Sequence, residues 1–160
     1  MIFWLLPILV VAFWTGMTAI ANYQSGSIMP SPKQVSAMSA GQAFLGYRNA
    51  VEGYMAANPS FTGNIPYASL VSWLAPGQPL PPGAGNQVNL TPSGFGKIMY
   101  SWAQAVPGEA WAAVSTTGGD ASIGMVSGTQ WISPIYGVQN WVVPSFVPNG
   151  DILSVVQTGS

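Results

Sequence analysis

Residues 33–73 read KQVSAMSAGQAFLGYRNAVEGYMAANPSFTGNIPYASLVSW, and this stretch decides the fold. Phe44, Tyr47, Val51, Tyr54 and Met55 recur at spacings of three and four, the period of one helix face turned toward a core. The spacing predicts a helix over 33–57. Ser31 or Ser36 is placed to cap it, with Pro32 at an early helical position where its missing N–H costs nothing. Arg48 and Glu52 stand four apart, the spacing of a helix-surface ion pair. Asn58-Pro59 stops the helix, because proline disfavours helical geometry in the residue before it. Ile65-Pro66 followed by Leu70 and Trp73 predicts a short helical turn pinned by apolar side chains.

Beyond residue 73 the pattern changes. The run APGQPLPPGAGNQ (75–87) is expected to be an extended loop of polyproline character. A surface loop and a proline-recognition ligand are both open readings of it. Lys97–Trp102 (KIMYSW) reads as a strand. Pro107–Thr116 (PGEAWAAVST) reads as a short helix closed by Gly118-Gly119-Asp120. Ser122–Val126 and Gln130–Ser133 read as strands joined across Ser127-Gly128-Thr129, with further strands at Trp141–Val143 and Ile152–Gln157. One long helix followed by mostly β elements predicts an α+β domain, the amphipathic helix lying on a small antiparallel sheet. No internal repeat is present.

Upstream, residues 1–21 (MIFWLLPILVVAFWTGMTAIA) carry no charge. As a helix they would rise about 31 Å, close to the hydrocarbon thickness of a bilayer. Trp4 and Tyr23 sit near the two ends, where interfacial aromatics belong. A cleaved signal peptide ending at Ala19-Ile20-Ala21 and a buried core helix are the competing readings. The missing basic n-region and the length of the run favour an anchor. The expected organisation is therefore a transmembrane anchor over 1–21, a linker over 22–32 and an extracytoplasmic domain over 33–160. Flanking charge does not orient the segment.

Composition narrows the function. Of 160 residues 49% are hydrophobic but only 4% are charged, and the net charge is −1, against roughly 25% charged in an average soluble domain. No basic surface exists to release counterions from a phosphate backbone, so nucleic acid is not an expected partner. His and Cys are both absent. That removes Cys/His metal sites, disulfides and the commonest general base. Lys33 and Lys97 have no Ser-x-x-Lys spacing, and Ser93 lies four before Lys97 only as a weak pairing. Asp120 and Asp151 adjoin glycines in turn-like contexts, the ordinary structural use of Asp. The four acids are scattered along the chain, so no carboxylate pair for glycoside hydrolysis is indicated. An enzyme is not expected, nor a cofactor, metal or small-molecule substrate.

The segment YRNAVEGYMAANPSFTGNIPYASL followed by Trp73 resembles the PilM family of conjugative type IVB (thin) pili, the small membrane protein of that name. The matching positions are Tyr47, Arg48, Asn49, Ala50, Tyr54, Asn58, Pro59, Gly63, Ile65, Pro66, Leu70 and Trp73. Gly124–Pro134 and the ending Pro148-Asn149-Gly150-Asp151 also fit, so the resemblance spans most of the chain. The Pro/Gly loop at Pro76–Gly85 departs from it. The resemblance implies an inner-membrane component of a pilus apparatus with its domain in the periplasm. The expected partners are other pilus-machinery proteins or copies of the chain itself. It implies a structural signature rather than catalytic residues. A pilin-like subunit of an extracellular filament is the rival reading. It lacks the basic leader ending in Gly, and the polar break at 26–32 argues for two separate helices.

Overall fold

The computed structural model describes residues 30–159, and residues 36–160 group as one compact unit. Helix α1 spans Pro32–Ala57. Its start is a reciprocal cap: the Gln34 N–H donates to Ser31 Oγ (3.3 Å) and the Ser31 N–H donates to Gln34 Oε1 (2.7 Å). Two of the orphan donors of a helix N-terminus are satisfied this way. Pro30 and Ser31 lie outside the helix. Phe44, Tyr47, Val51 and Met55 are buried, as their spacing predicts, while Tyr54 is half-buried. A short α2 (Tyr67–Leu70) runs into a 3₁₀ turn, Val71–Trp73.

Six strands follow: β1 Gly85–Leu90, β2 Lys97–Ala103, β3 Ile123–Ser127, β4 Gln130–Ser133, β5 Gly137–Val142 and β6 Ile152–Thr158. Helix α3 (Glu109–Thr116) lies between β2 and β3. The sheet is antiparallel throughout, in the order β1-β2-β6-β3-β4-β5. The last strand therefore inserts between β2 and β3, and sequence neighbours β2 and β3 are split by α3.

Alternation along the strands gives the sheet two apolar faces. Met99, Ala103, Ile123 and Ile152 point to the α1/α3 side, packing with Phe44, Leu45, Val51, Ala113 and Val114. Ile98, Tyr100, Leu153, Val155, Val126 and Trp131 point to the other side, where Val143 and Val147 of the β5–β6 connection cover them. Phe146 of that connection makes an edge-on contact with Tyr100, ring centroids 5.5 Å apart. The observed sheet is larger than the small one expected from the sequence.

Three expectations change. The loop expected over 75–87 ends early, because Gly85, Asn86 and Gln87 already belong to β1. The strand expected at Trp141–Val143 is Gly137–Val142, with Val143 past its end. The helix expected from Pro107 begins at Glu109, since Gly108 takes φ 87°. Its end is a Schellman closure, with Gly118 and Gly119 at positive φ and the Gly119 N–H bonded to the Val114 carbonyl at 2.9 Å. Among the described residues no helix is long and apolar enough to cross a membrane. The anchor expected over 1–21 lies outside them.

Candidate functional site

The signature residues do not converge on a cleft. They hold the end of α1, the turn after it and strand β1 together. Asn58 closes the helix: its N–H and its side-chain Nδ2 both donate to the Tyr54 carbonyl at 2.9 Å. Tyr54 meets Phe61 edge-on at 5.4 Å. The Pro59 and Phe61 carbonyls accept from Lys97 Nζ, the latter at 2.7 Å, which fastens the turn to the start of β2. Gly63, at φ 104°, exchanges two backbone bonds with Val88 of β1 (2.8 and 2.9 Å). Pro66 supplies the extended residue from which α2 begins.

Asn86 is the centre of this arrangement. Its Oδ1 accepts from the Ile65 N–H at 2.7 Å. Its Nδ2 donates to the Ile65 carbonyl at 3.1 Å and to the Tyr47 hydroxyl at 2.9 Å. One carboxamide thus imitates a neighbouring strand for Ile65 and anchors α1 at the same time. Asn86 is 3% exposed, so each bond is made out of water, where an unmatched partner is costly. Burial pushes the Tyr47 hydroxyl pKa up, and the bond to Asn86 partly offsets it.

Arg48 leaves this cluster. Its Nε donates to Glu52 at 2.6 Å and its Nη1 to Asp120 at 2.5 Å, 72 residues away. The four-residue spacing predicts a surface pair; the guanidinium is instead half-buried between two carboxylates. Burial disfavours its charge, but the bonds to Glu52 and Asp120 outweigh that and raise its pKa. Asp120, expected to serve only a turn, also accepts from the Ser122 N–H (2.8 Å). Its carboxyl is held below the ordinary range because the Ser122 and Arg48 bonds overcome its desolvation. Asn49 is exposed and lines a shallow groove of about 570 Å³ with Gln42, Pro76, Gln78 and Thr116.

Trp73 turns back onto α1, where a Cβ added at Gly53 would stand 2.8 Å from its ring. The same device recurs: Gln78 lies on Gly46, Trp102 on Gly85, and Trp131 on Gly124, where an added Cβ would meet the indole nitrogen at 2.5 Å. Each glycine is a seat for a large side chain crossing from another element. Sequence reading missed Asn86, Lys97 and Asp120 as partners of the signature. Asn86 sits in the Pro/Gly run, Lys97 opens a strand and Asp120 adjoins a glycine, so local pattern carries no trace of their contacts.

Among the described residues no three of His, Cys, Asp and Glu cluster to hold a metal. Glu109 and Asp151 are buried, at 1% and 7% exposure. Desolvation raises both carboxyl pKa values; a bond from the Val106 N–H opposes it at Glu109, and the Asp151 charge adds to it. A second groove, about 460 Å³ and largely apolar, runs between Pro107, Trp111, Met125, Ile132 and Pro134. The arrangement is a braced α+β scaffold with polar, uncharged surfaces.

The result is a helix-on-sheet scaffold that carries its distinctive residues in structural roles. The PilM family model matches residues 10–155, and the chain belongs to that family. The crystal structure of a protein designated PilM from Escherichia coli B7A has the same fold. It superposes with a TM-score of 0.54 at 16% identity, covering 81% of this chain and 98% of that one. No curated protein matches the chain.

Proposed function

We propose that the chain is a membrane-anchored, non-enzymatic assembly component of a type IVB conjugative pilus apparatus, its domain in the periplasm and its partners other pilus-machinery proteins. The observation that carries this reading is the family match, which begins at residue 10, inside the apolar stretch. The uncharged 21-residue run supports the anchor. The scaffold roles of Tyr47, Tyr54, Asn58, Pro59, Gly63 and Trp73 support a protein that presents surfaces rather than performs chemistry. In the rival, pilin-like reading a helix runs unbroken from the apolar segment into the head. The capped start of α1 after Ser31 speaks against it.

The test is carbonate extraction of membranes, protease accessibility in spheroplasts and mass spectrometry of the mature N-terminus. An intact Met1 in the carbonate-resistant fraction, with a protease-sensitive domain, supports the anchor and orientation. A mature chain starting at Asn22 overturns the anchor, and a protease-resistant domain in spheroplasts overturns the orientation. Arg in place of Leu9 should weaken insertion, by about 3 kcal/mol for a charge at mid-span.

A further inference from the structure

The sheet has two ends, and they are finished differently. At β1 the outer edge is occupied: Gly63 pairs with Val88, and Asn86 bonds both backbone groups of Ile65. At β5 no strand among the described residues pairs with the outer edge. An open edge presents a row of backbone donors and acceptors, and proteins ordinarily blunt it with Lys, inward charges or proline. Residues 121–150, which hold all of β3, β4 and β5, contain no charged residue, and β5 itself (GVQNWV) contains no proline.

One blunting device is present, a register shift in which Trp131 opposes Gln139 but Gln130 opposes Val142. It leaves the backbone of Asn140 and Trp141 without a β4 partner and so lengthens the unpaired edge. Exposure alternates along the strand. Val138 (59%) and Val142 (79%) share one side with exposed Asn140, while Gln139 and Trp141 are half-buried on the other.

From this we propose that β5 is a pairing edge for β5 of a second copy of the chain, antiparallel about a two-fold axis through Asn140. The strand is its own complement in that register. Val138 lies opposite the second copy's Val142, Gln139 opposite its Trp141, and Asn140 opposite itself, the self-complementary geometry of a two-fold interface. Charge selects the same occupant. Arg48 pairs with both Glu52 and Asp120, Lys97 donates to carbonyls, and Glu109 and Asp151 are buried. The chain carries a net charge of only −1 and none of it in residues 121–150, so two copies meet at this edge with little repulsion to overcome. Two six-residue edges bury less than the roughly 1,200 Å² of a standard stable interface. The pairing therefore belongs to chains already concentrated in one layer or assembly. The pairing rests on the proposed membrane layer, and flotation of the protein with the liposomes checks that layer separately from the cross-link.

The chain has no cysteine, which makes the register directly testable. Opposed residues of an antiparallel pair have Cα atoms about 4.5–5.5 Å apart, within disulfide reach. Full-length protein carrying Asn140→Cys, in detergent micelles and in liposomes, is oxidised mildly and the covalent dimer measured. N140C is expected to dimerise. V138C alone lies about 14 Å from its counterpart in this register and should dimerise at least tenfold less. V138C mixed with V142C should cross-link, and Leu90→Cys on the occupied edge should not. Val142→Lys added to N140C should cut the dimer about tenfold, since a charge at an edge opposes pairing. Near-UV circular dichroism checks that each variant is folded. The proposal is overturned if folded N140C stays monomeric in liposomes, or if V138C or L90C dimerises as readily. A disulfide from N140C to a different polypeptide in cells, with none to itself, also overturns it.

Discussion

The two ends of the sheet are built from the same uncharged vocabulary and reach opposite results. At β1, one asparagine, one glycine and the turn after α1 close the edge with bonds made out of water. At β5, exposed Asn140 stands between exposed Val138 and Val142, and no strand among the described residues pairs with the outer edge. The difference teaches that an edge can be sealed without charge, provided the polar side chain is buried and fully matched. It also shows that the sealing residues at β1 are the ones that tie the family signature together.

The largest break in this comparison should come from Asn86→Leu. It strands the Ile65 N–H and carbonyl and the Tyr47 hydroxyl, each now buried without its partner. A loss of about 3 kcal/mol in urea denaturation is expected, since one unmatched buried group costs roughly 1–3 kcal/mol. A loss under about 0.5 kcal/mol would mean that the edge is not held by this carboxamide. Next is Gly124→Ala on the open half. The added methyl meets Trp131 Nε1 at 2.5 Å and the Ile132 carbonyl at 2.7 Å. Overpacking of this kind costs about 2 kcal/mol, and Trp131 fluorescence should shift as the indole lifts.

Arg48→Met is a smaller effect. It leaves Glu52 and Asp120 without their cation but in partly solvated positions, so about 1 kcal/mol is expected once solvent screening is allowed for. The carboxylates also give the fold a pH signature. Asp120 has a folded pKa below its ordinary 3.8, so its contribution is present above that value and is lost as pH falls through the lower, folded one. Glu109 and Asp151 have folded values above 4.5 and 3.8. They favour the fold most when protonated, and that contribution fades as pH rises through their folded values. The urea midpoint should therefore rise as pH falls toward 4.5 and 3.8, and fall again as pH drops from 3.8 through the lower folded value of Asp120. Glu109→Gln keeps an acceptor for the Val106 N–H and should flatten the rise; an unchanged profile would assign the rise elsewhere. Smallest of all is the folding effect of Val142→Lys, within about 0.5 kcal/mol for an exposed position, although the same change should cut edge pairing about tenfold.

Much of the fold was legible because local chemistry and tertiary role agree. The 3.6-residue period of Phe44, Tyr47 and Val51 marks a buried helix face, and Asn58-Pro59 marks its end. Gly128 at the turn of a β3–β4 hairpin marks that hairpin. β1 was illegible for an equally physical reason. Gly85, Asn86 and Gln87 have weak strand preference, and what makes them a strand is the indole of Trp102 lying on Gly85 and the bonds from Asn86 to Ile65. The Arg48–Asp120 pair could not be read either, because 72 residues separate its members and Asp120 by itself looks like a turn residue. The signature positions were legible as a set, but the partners that give them purpose, Asn86 and Lys97, lie in other strands.

The disposition of the charges has a consequence for the medium in which the protein works. Ionic strength acts by screening fields between exposed charges over about 8–10 Å at physiological salt. A chain with only seven charges, of which Glu109 and Asp151 are buried and Arg48 is paired with Glu52 and Asp120, offers such fields little to act on. Contacts made through its polar, uncharged surface should hold as well in dilute surroundings as in brine.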